Sequence, residues 1–96
     1  MYFFVRTKTH RPDFSTTMTE QEREVMMNHI GYLSQYAAKG VAIAFGPVLD
    51  PKGVYGVGIY ETESVEQMQE ILNNDPGKDL LECEMFLMPQ LVIGTR

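Results

Sequence analysis

The side chain with the most chemical potential in this sequence is His29. It stands inside an apolar run, one turn after Val25 and Met26 and one turn before Leu33. An imidazole placed there either satisfies itself through a local hydrogen bond or faces a cavity with a polar partner. A neutral imidazole has a reference pKa of about 6.5 and accepts a proton near neutral pH. Asp75 is the carboxylate best placed to accompany it. Asp75 directly precedes Pro76, and a proline pushes the residue before it towards an extended backbone, which can aim the carboxylate back over the fold. Hydrogen-bonded to one ring nitrogen, Asp75 would fix the tautomer of His29 and stabilise its imidazolium. Tyr32 is one helical turn along and could donate to an oxyanion or orient a substrate. Arg11 or His10 could contact an anionic substrate group. Each residue also has a plainer reading: a core histidine satisfied locally, and an aspartate solvated in a turn.

Gly56 and Gly58 are two apart in a strand-like segment and so lie on one face of a sheet. The missing side chains either admit close helix packing or leave space for a ligand. Other chemistries lack a foothold. There is no serine-nucleophile motif, Cys–His pairing signal, Walker loop or dinucleotide fingerprint, and Gly53-x-x-Gly56-x-Gly58 does not precede a helix. Cys83 is the only cysteine, so no intrachain disulfide is possible and metal-ligand spacing is absent. No cofactor and no metal are expected.

These residues must be positioned by a short series of elements. Tyr2-Phe3-Phe4-Val5 reads as a buried strand, followed by a polar loop from Thr9 to Met18 that contains Pro12. Thr19 with Glu22 forms a capping box. Met26, His29, Ile30, Leu33, Tyr36 and Ala37 then recur at helical spacing, and Gly40 suits the left-handed position after the helix. Val41 to Phe45 is a second strand ended by Gly46-Pro47. Asp50-Pro51-Lys52-Gly53 suits a type I turn, and Val54 to Tyr60 returns as a third strand. Ser64 with Gln67 repeats the capping-box pattern before a second helix carrying Val65, Met68, Ile71 and Leu72. The breakers from Asn73 to Gly77 end it. A last strand falls between Glu82 and Ile93, with Pro89 marking a bend, an edge or its end.

The order β-α-β-β-α-β is the split-βαβ pattern of a ferredoxin-like α+β fold with a four-stranded antiparallel sheet. The 96 residues amount to one domain, 1–96, and 44% hydrophobic content with five tyrosines and five phenylalanines is ordinary globular material. Both sides of the strands are apolar: Tyr2 and Phe4 oppose Phe3 and Val5, Val41, Ile43 and Phe45 oppose Ala42 and Ala44, and Met85 and Leu87 oppose Phe86 and Met88. Two helices cover one face only, so the helix-free face is expected to meet a second copy in a homodimer. A net charge of −5 and eight scattered basic residues argue against nucleic acid. No leader-like start and no apolar run near about 18 residues argue against a membrane span. A cytoplasmic protein is the expectation.

The run Met27-Asn28-His29-Ile30-Gly31-Tyr32-Leu33, then Lys39-Gly40, Phe45-Gly46-Pro47 and Asn74-Asp75-Pro76 resembles the YciI-like, or YCII-related, family. The likeness covers about two-thirds of the chain and rests on the order and spacing of an H-x-x-Y/H-L helix, a Gly-Pro after a strand and an Asp-Pro after the second helix. Arg11-Pro12-x-Phe14 and Gly46-Pro47-Val48-x-Asp50-Pro51-x-Gly53 resemble one subgroup. The resemblance implies a dimeric α+β barrel and an active site containing a histidine and an aspartate, matched here by His29 and Asp75. Tyr32, Arg11, Phe45, Gly46 and Pro47 are the candidate substrate-binding residues. Asp50 belongs to the subgroup pattern too, but lies in a turn where a structural role is the favoured reading. Dehalogenating lyase chemistry is associated with one branch of the family, and no motif specific to that branch is present.

Two functions follow. One is a lyase- or isomerase-like enzyme in which His29 and Asp75 transfer protons on a small oxygenated molecule. The other is a non-catalytic small-molecule-binding or accessory homodimer, with the pair holding a ligand or securing the helices. In a purely structural homodimer the same pair would meet a buried polar need. The methionines fill core gaps or line an adaptable pocket.

Overall fold

The computed structural model describes residues 1–96. One of its two inner strands is β1 (Tyr2–Thr9), which pairs antiparallel with both β3 (Tyr55–Glu61) and β4 (Leu81–Met88). β2 (Ala42–Val48) pairs with β3 at one edge, giving the order β2-β3-β1-β4. Chain order and sheet order together are those of the expected ferredoxin-like α+β fold. Helices α2 (Glu20–Ala38) and α3 (Val65–Asn73) provide the two crossovers. No helix is long and apolar enough to cross a membrane.

Helix α2 begins and ends as its sequence dictates. The Glu22 N–H donates to Thr19 Oγ1 at 3.1 Å, and the Thr19 N–H donates back to Glu22 Oε1 at 2.9 Å. At the other end Gly40 takes φ +78°, its N–H donating to the Ala37 carbonyl and that of Val41 to the Tyr36 carbonyl. This is a Schellman arrangement, which an L side chain at residue 40 would strain. Of the expected apolar stripe, Leu33 is buried, Met26, His29 and Tyr36 are half-buried, and Ile30 and Ala37 are exposed. The two exposed residues lie at the flank of the stripe.

Four local expectations are corrected. The stretch between Thr9 and Met18 is not all loop: α1 (Phe14–Thr17) forms because the Phe14 side chain is buried and the Asp13 carbonyl accepts the Thr16 and Thr17 N–H groups. β2 does not stop at Gly46-Pro47. Pro47 pairs opposite Gly56, which an edge strand allows because half of its N–H groups point away from the ladder. A bulge between Ala42 and Ala44 also puts Ala42 and Phe45 on one face, where uninterrupted alternation would separate them. At α3 the Ser64 hydroxyl caps the Gln67 N–H, but Gln67 Oε1 accepts from Glu63, one residue before the expected partner.

The core is one cluster between the helices and the sheet, made by Phe3, Val5, Leu33, Ala42, Tyr60, Met68 and Ile71. Strand register places Val5, Gly58 and Phe45 side by side on this covered face, and Thr7, Gly56 and Pro47 beside them. The row of glycines and a small threonine leaves a hollow under α2. The opposite face carries Phe4 against Phe86 with ring centroids 6.3 Å apart, and Arg6 paired with Glu84 at 2.8 Å. Phe86 is exposed there. Pro89 ends β4, and the remaining residues form no further element.

Candidate functional site

Asp75 follows α3 at the start of a tight turn. Its Oδ1 accepts the Gly77 N–H at 2.7 Å, an Asx turn closed through an otherwise unpaired backbone donor. Its Oδ2 lies 2.6 Å from Nδ1 of His29, which α2 projects towards the same turn. Asp75 is 8% exposed, so this carboxylate is an enclosed group with both oxygens engaged. A carboxylate oxygen accepts, so the tautomer that fits this contact carries its proton on Nδ1 and donates it to Asp75. Gly77 is needed where it stands. A Cβ there would come within 3.1 Å of Leu81 Cδ1, 3.2 Å of His29 Cβ and 3.3 Å of Asp75 Oδ1.

With Nδ1 committed to Asp75, the other ring nitrogen, Nε2, makes no hydrogen bond within the chain. No enclosed side-chain nitrogen or oxygen lacks a partner, so Nε2 keeps access to open space. The space beside His29 is a cavity of about 390 Å³ between α2 and the sheet. Phe45, Gly46, Pro47, Gly56 and Gly58 line its β2–β3 side, and Met26, Leu33 and Phe14 are among its apolar walls. A cavity of this size falls within the range of small-ligand sites. A smaller one, about 280 Å³, opens behind the dyad between Leu72, Asp75, Lys78 and Cys83. No three His, Cys, Asp or Glu side chains converge as a metal-holding group.

The candidate residues therefore divide. His29 and Asp75 meet, and Phe45, Gly46 and Pro47 line the same cavity as His29. Tyr32 and Arg11 are not among the cavity's lining residues. The Tyr32 hydroxyl donates to the Ile71 carbonyl at 2.7 Å, occupying one of the last free carbonyls of α3 and tying the two helices together. Burial, chiefly, and then Tyr36 raise its pKa above the usual phenol range. Arg11 makes a bidentate pair with Glu22 at 2.9 and 3.2 Å, donates to Thr17 and lies 5.0 Å over the Phe14 ring. The guanidinium, with the Thr19 N–H, holds the Glu22 carboxyl down at about 2. His10 is exposed beside Glu82, 3.5 Å away. Asp50 serves its turn, accepting the Lys52 N–H on its side chain and the Gly53 N–H on its carbonyl.

Tyr60 lines the cavity and was not among the sequence candidates. The signal for it is the pattern Gly56-x-Gly58-x-Tyr60, which sets a phenol and two vacant positions on one face of β3.

The family model of the YCII-related domain matches residues 2–79, and the chain belongs to that family. A search of curated proteins finds no match. Among solved structures, the chain is similar to 5-chloro-2-hydroxyhydroquinone dehydrochlorinase from Burkholderia phenoliruptrix AC1100, in complex with 2,5-dihydroxybenzoquinone, at TM-score 0.71 and 18% identity over 92% of this chain and 93% of that one. It is also similar to protein Atu4242 from Agrobacterium tumefaciens, at TM-score 0.53 and 16% identity over 95% of this chain and 94% of that one. At these identities the likeness is one of fold.

Proposed function

We propose that this member of the YCII-related family binds a small, flat, oxygenated ring compound in the cavity beneath α2 and moves protons on it through His29. The observation that carries the reading is the 2.6 Å contact between His29 Nδ1 and Asp75 Oδ2 at the edge of a cavity of about 390 Å³. Asp75 holds the ring in the tautomer whose lone pair is on Nε2. Nε2 then takes a proton from a ligand hydroxyl, and the buried carboxylate stabilises the imidazolium that results. The apolar walls suit the faces of a ring, and the polar groups are few, as in a site that orients one small molecule.

The reaction class is loss of HX from a polyhydroxylated ring bearing a leaving group X. His29 relays a hydroxyl proton to the ring carbon that carries X, giving the keto form. Departure of X⁻ with a second hydroxyl proton restores conjugation as a quinone, and the net loss is HX. The dehydrochlorinase to which the fold is similar motivates this choice of class. The protein would act as a homodimer through the helix-free sheet face, where Phe4, Phe86, Val57 and Ile59 leave apolar surface facing outward.

The test measures binding of 2,5-dihydroxybenzoquinone by calorimetry and chloride release from 5-chloro-2-hydroxyhydroquinone. Wild type is expected to do both, and His29→Ala to bind while releasing chloride about 10²–10⁴-fold more slowly. Binding without release in wild type would replace this reading with that of a ligand-binding protein. Absence of both would overturn it.

A further inference from the structure

Tyr60 is the cavity residue that the dyad leaves unexplained. It is 2% exposed, so its ring belongs to the core. Its hydroxyl nevertheless makes no hydrogen bond within the chain, although no enclosed side-chain oxygen is left without a partner. The oxygen must therefore retain access to open space, and the space that Tyr60 lines is the cavity it shares with His29. A buried tyrosine ordinarily finds a partner for its O–H within the protein. Here the place of that partner is open.

The backbone explains how the phenol reaches this position. Tyr60 and Gly58 are on the same face of β3. The ring extends along the strand over Gly58, where a Cβ would stand 2.7 Å from Tyr60 Cε1 and 3.0 Å from the hydroxyl oxygen. Any side chain at residue 58 would push the ring aside. Gly56, the next residue on that face, has no such neighbour, its nearest contact being Thr7 Cβ at 3.5 Å. One glycine thus makes room for the phenol and the other for whatever lies beside it.

We infer that the Tyr60 hydroxyl is the cavity's hydrogen-bond donor to a ligand oxygen, receiving a carbonyl or phenolate oxygen of the ring compound that His29 acts on. This deepens the proposed proton-transfer reading and rests on it. The donor stays protonated throughout the neutral range, because burial first, then the charges of Asp75 and Cys83, push the phenol up to about 12. An O–H fixed by a packed ring offers a defined direction to an oxygen that gains negative charge as His29 withdraws a proton. The class of ligand is a small ring with an oxygen acceptor on the side that lies over Gly58.

The experiment compares wild type, Tyr60→Phe and His29→Ala for 2,5-dihydroxybenzoquinone affinity by calorimetry, with the thermal midpoint of each protein free of ligand. Tyr60→Phe is expected to weaken binding about tenfold and to leave the free protein's midpoint unchanged, since the hydroxyl has no bond in the chain to lose. A purely structural tyrosine would move the midpoint and not the affinity, and that result overturns the inference. Unchanged affinity in Tyr60→Phe, with wild-type binding intact, overturns the donor role and leaves the cavity reading standing. No binding by wild type overturns both.

Discussion

The Asp75 carboxylate works in two directions, taking a backbone N–H from Gly77 and a ring N–H from His29. The Asx turn fixes the carboxylate before any ligand arrives, so the orientation of the imidazole is set by folding. A methyl group at residue 77 enters this arrangement from the side, within 3.2 Å of His29 Cβ and 3.3 Å of Asp75 Oδ1. Gly77→Ala is therefore expected to cost about 1–3 kcal/mol by crowding and to shift the His29 ring resonances. Denaturant unfolding with NMR checks both, and an unperturbed ring would mean that the turn yields more easily than its packing indicates. His29 and Asp75 were legible because each is unusual for its place: an imidazole on an apolar stripe, and an acid fixed before a proline. Tyr60 was not, because a tyrosine in a strand resembles core material until the glycine beside it is seen to lie under its ring.

At the scale of elements, Arg11 and Glu22 illustrate why the polar loop was harder to read than the helices. Helix boundaries are set by neighbours in sequence, and Thr19, Glu22, Gly40 and Ser64 act within a turn of themselves. The role of Arg11 depends on Glu22, which is eleven positions away and belongs also to the capping box. Spacing alone left the arginine free to meet a substrate, whereas the fold gives it a carboxylate, a threonine and the Phe14 ring. This tie has a pH signature. The folded Glu22 carboxyl sits at about 2, below its ordinary value of 4.5. Its contribution to stability is therefore complete above about pH 4.5 and is lost as pH falls towards 2. Thermal midpoints of wild type and Glu22→Gln should differ at pH 6 and converge as pH drops through that window. Equal midpoints at pH 6 would show that the loop is held by Phe14 burial rather than by the ion pair. The continuation of β2 through Pro47 was hidden for a related reason, since its edge position is a property of the sheet.

For the whole molecule, the split-βαβ order could be read from hydrophobic periodicity and turn residues, and the sheet order β2-β3-β1-β4 follows it. The helix-free face is the part of the sheet that neither crossover helix covers. Phe86 is 48% exposed beside Phe4, and the charged pair Arg6–Glu84 stands further along the same face. If a second copy covers this surface, a charge in its apolar part must be buried without a partner, which is costly. Phe86→Glu is expected to convert a species of twice 11.0 kDa into the monomer in sedimentation or light scattering. A wild-type protein that runs as the monomer would remove the proposed dimer.

The most direct test of the central claim concerns the proton on the His29 ring. Histidine side chains free in water favour the Nε2–H tautomer, whereas a carboxylate 2.6 Å from Nδ1 favours the proton there, and Nε2 has no partner in the chain. Long-range ¹H–¹⁵N spectra of the neutral ring distinguish the two forms. Wild type should show His29 with its proton on Nδ1, and Asp75→Asn should lose that preference. A neutral His29 carrying its proton on Nε2 in wild type would leave no base facing the cavity and would contradict the proposed proton transfer.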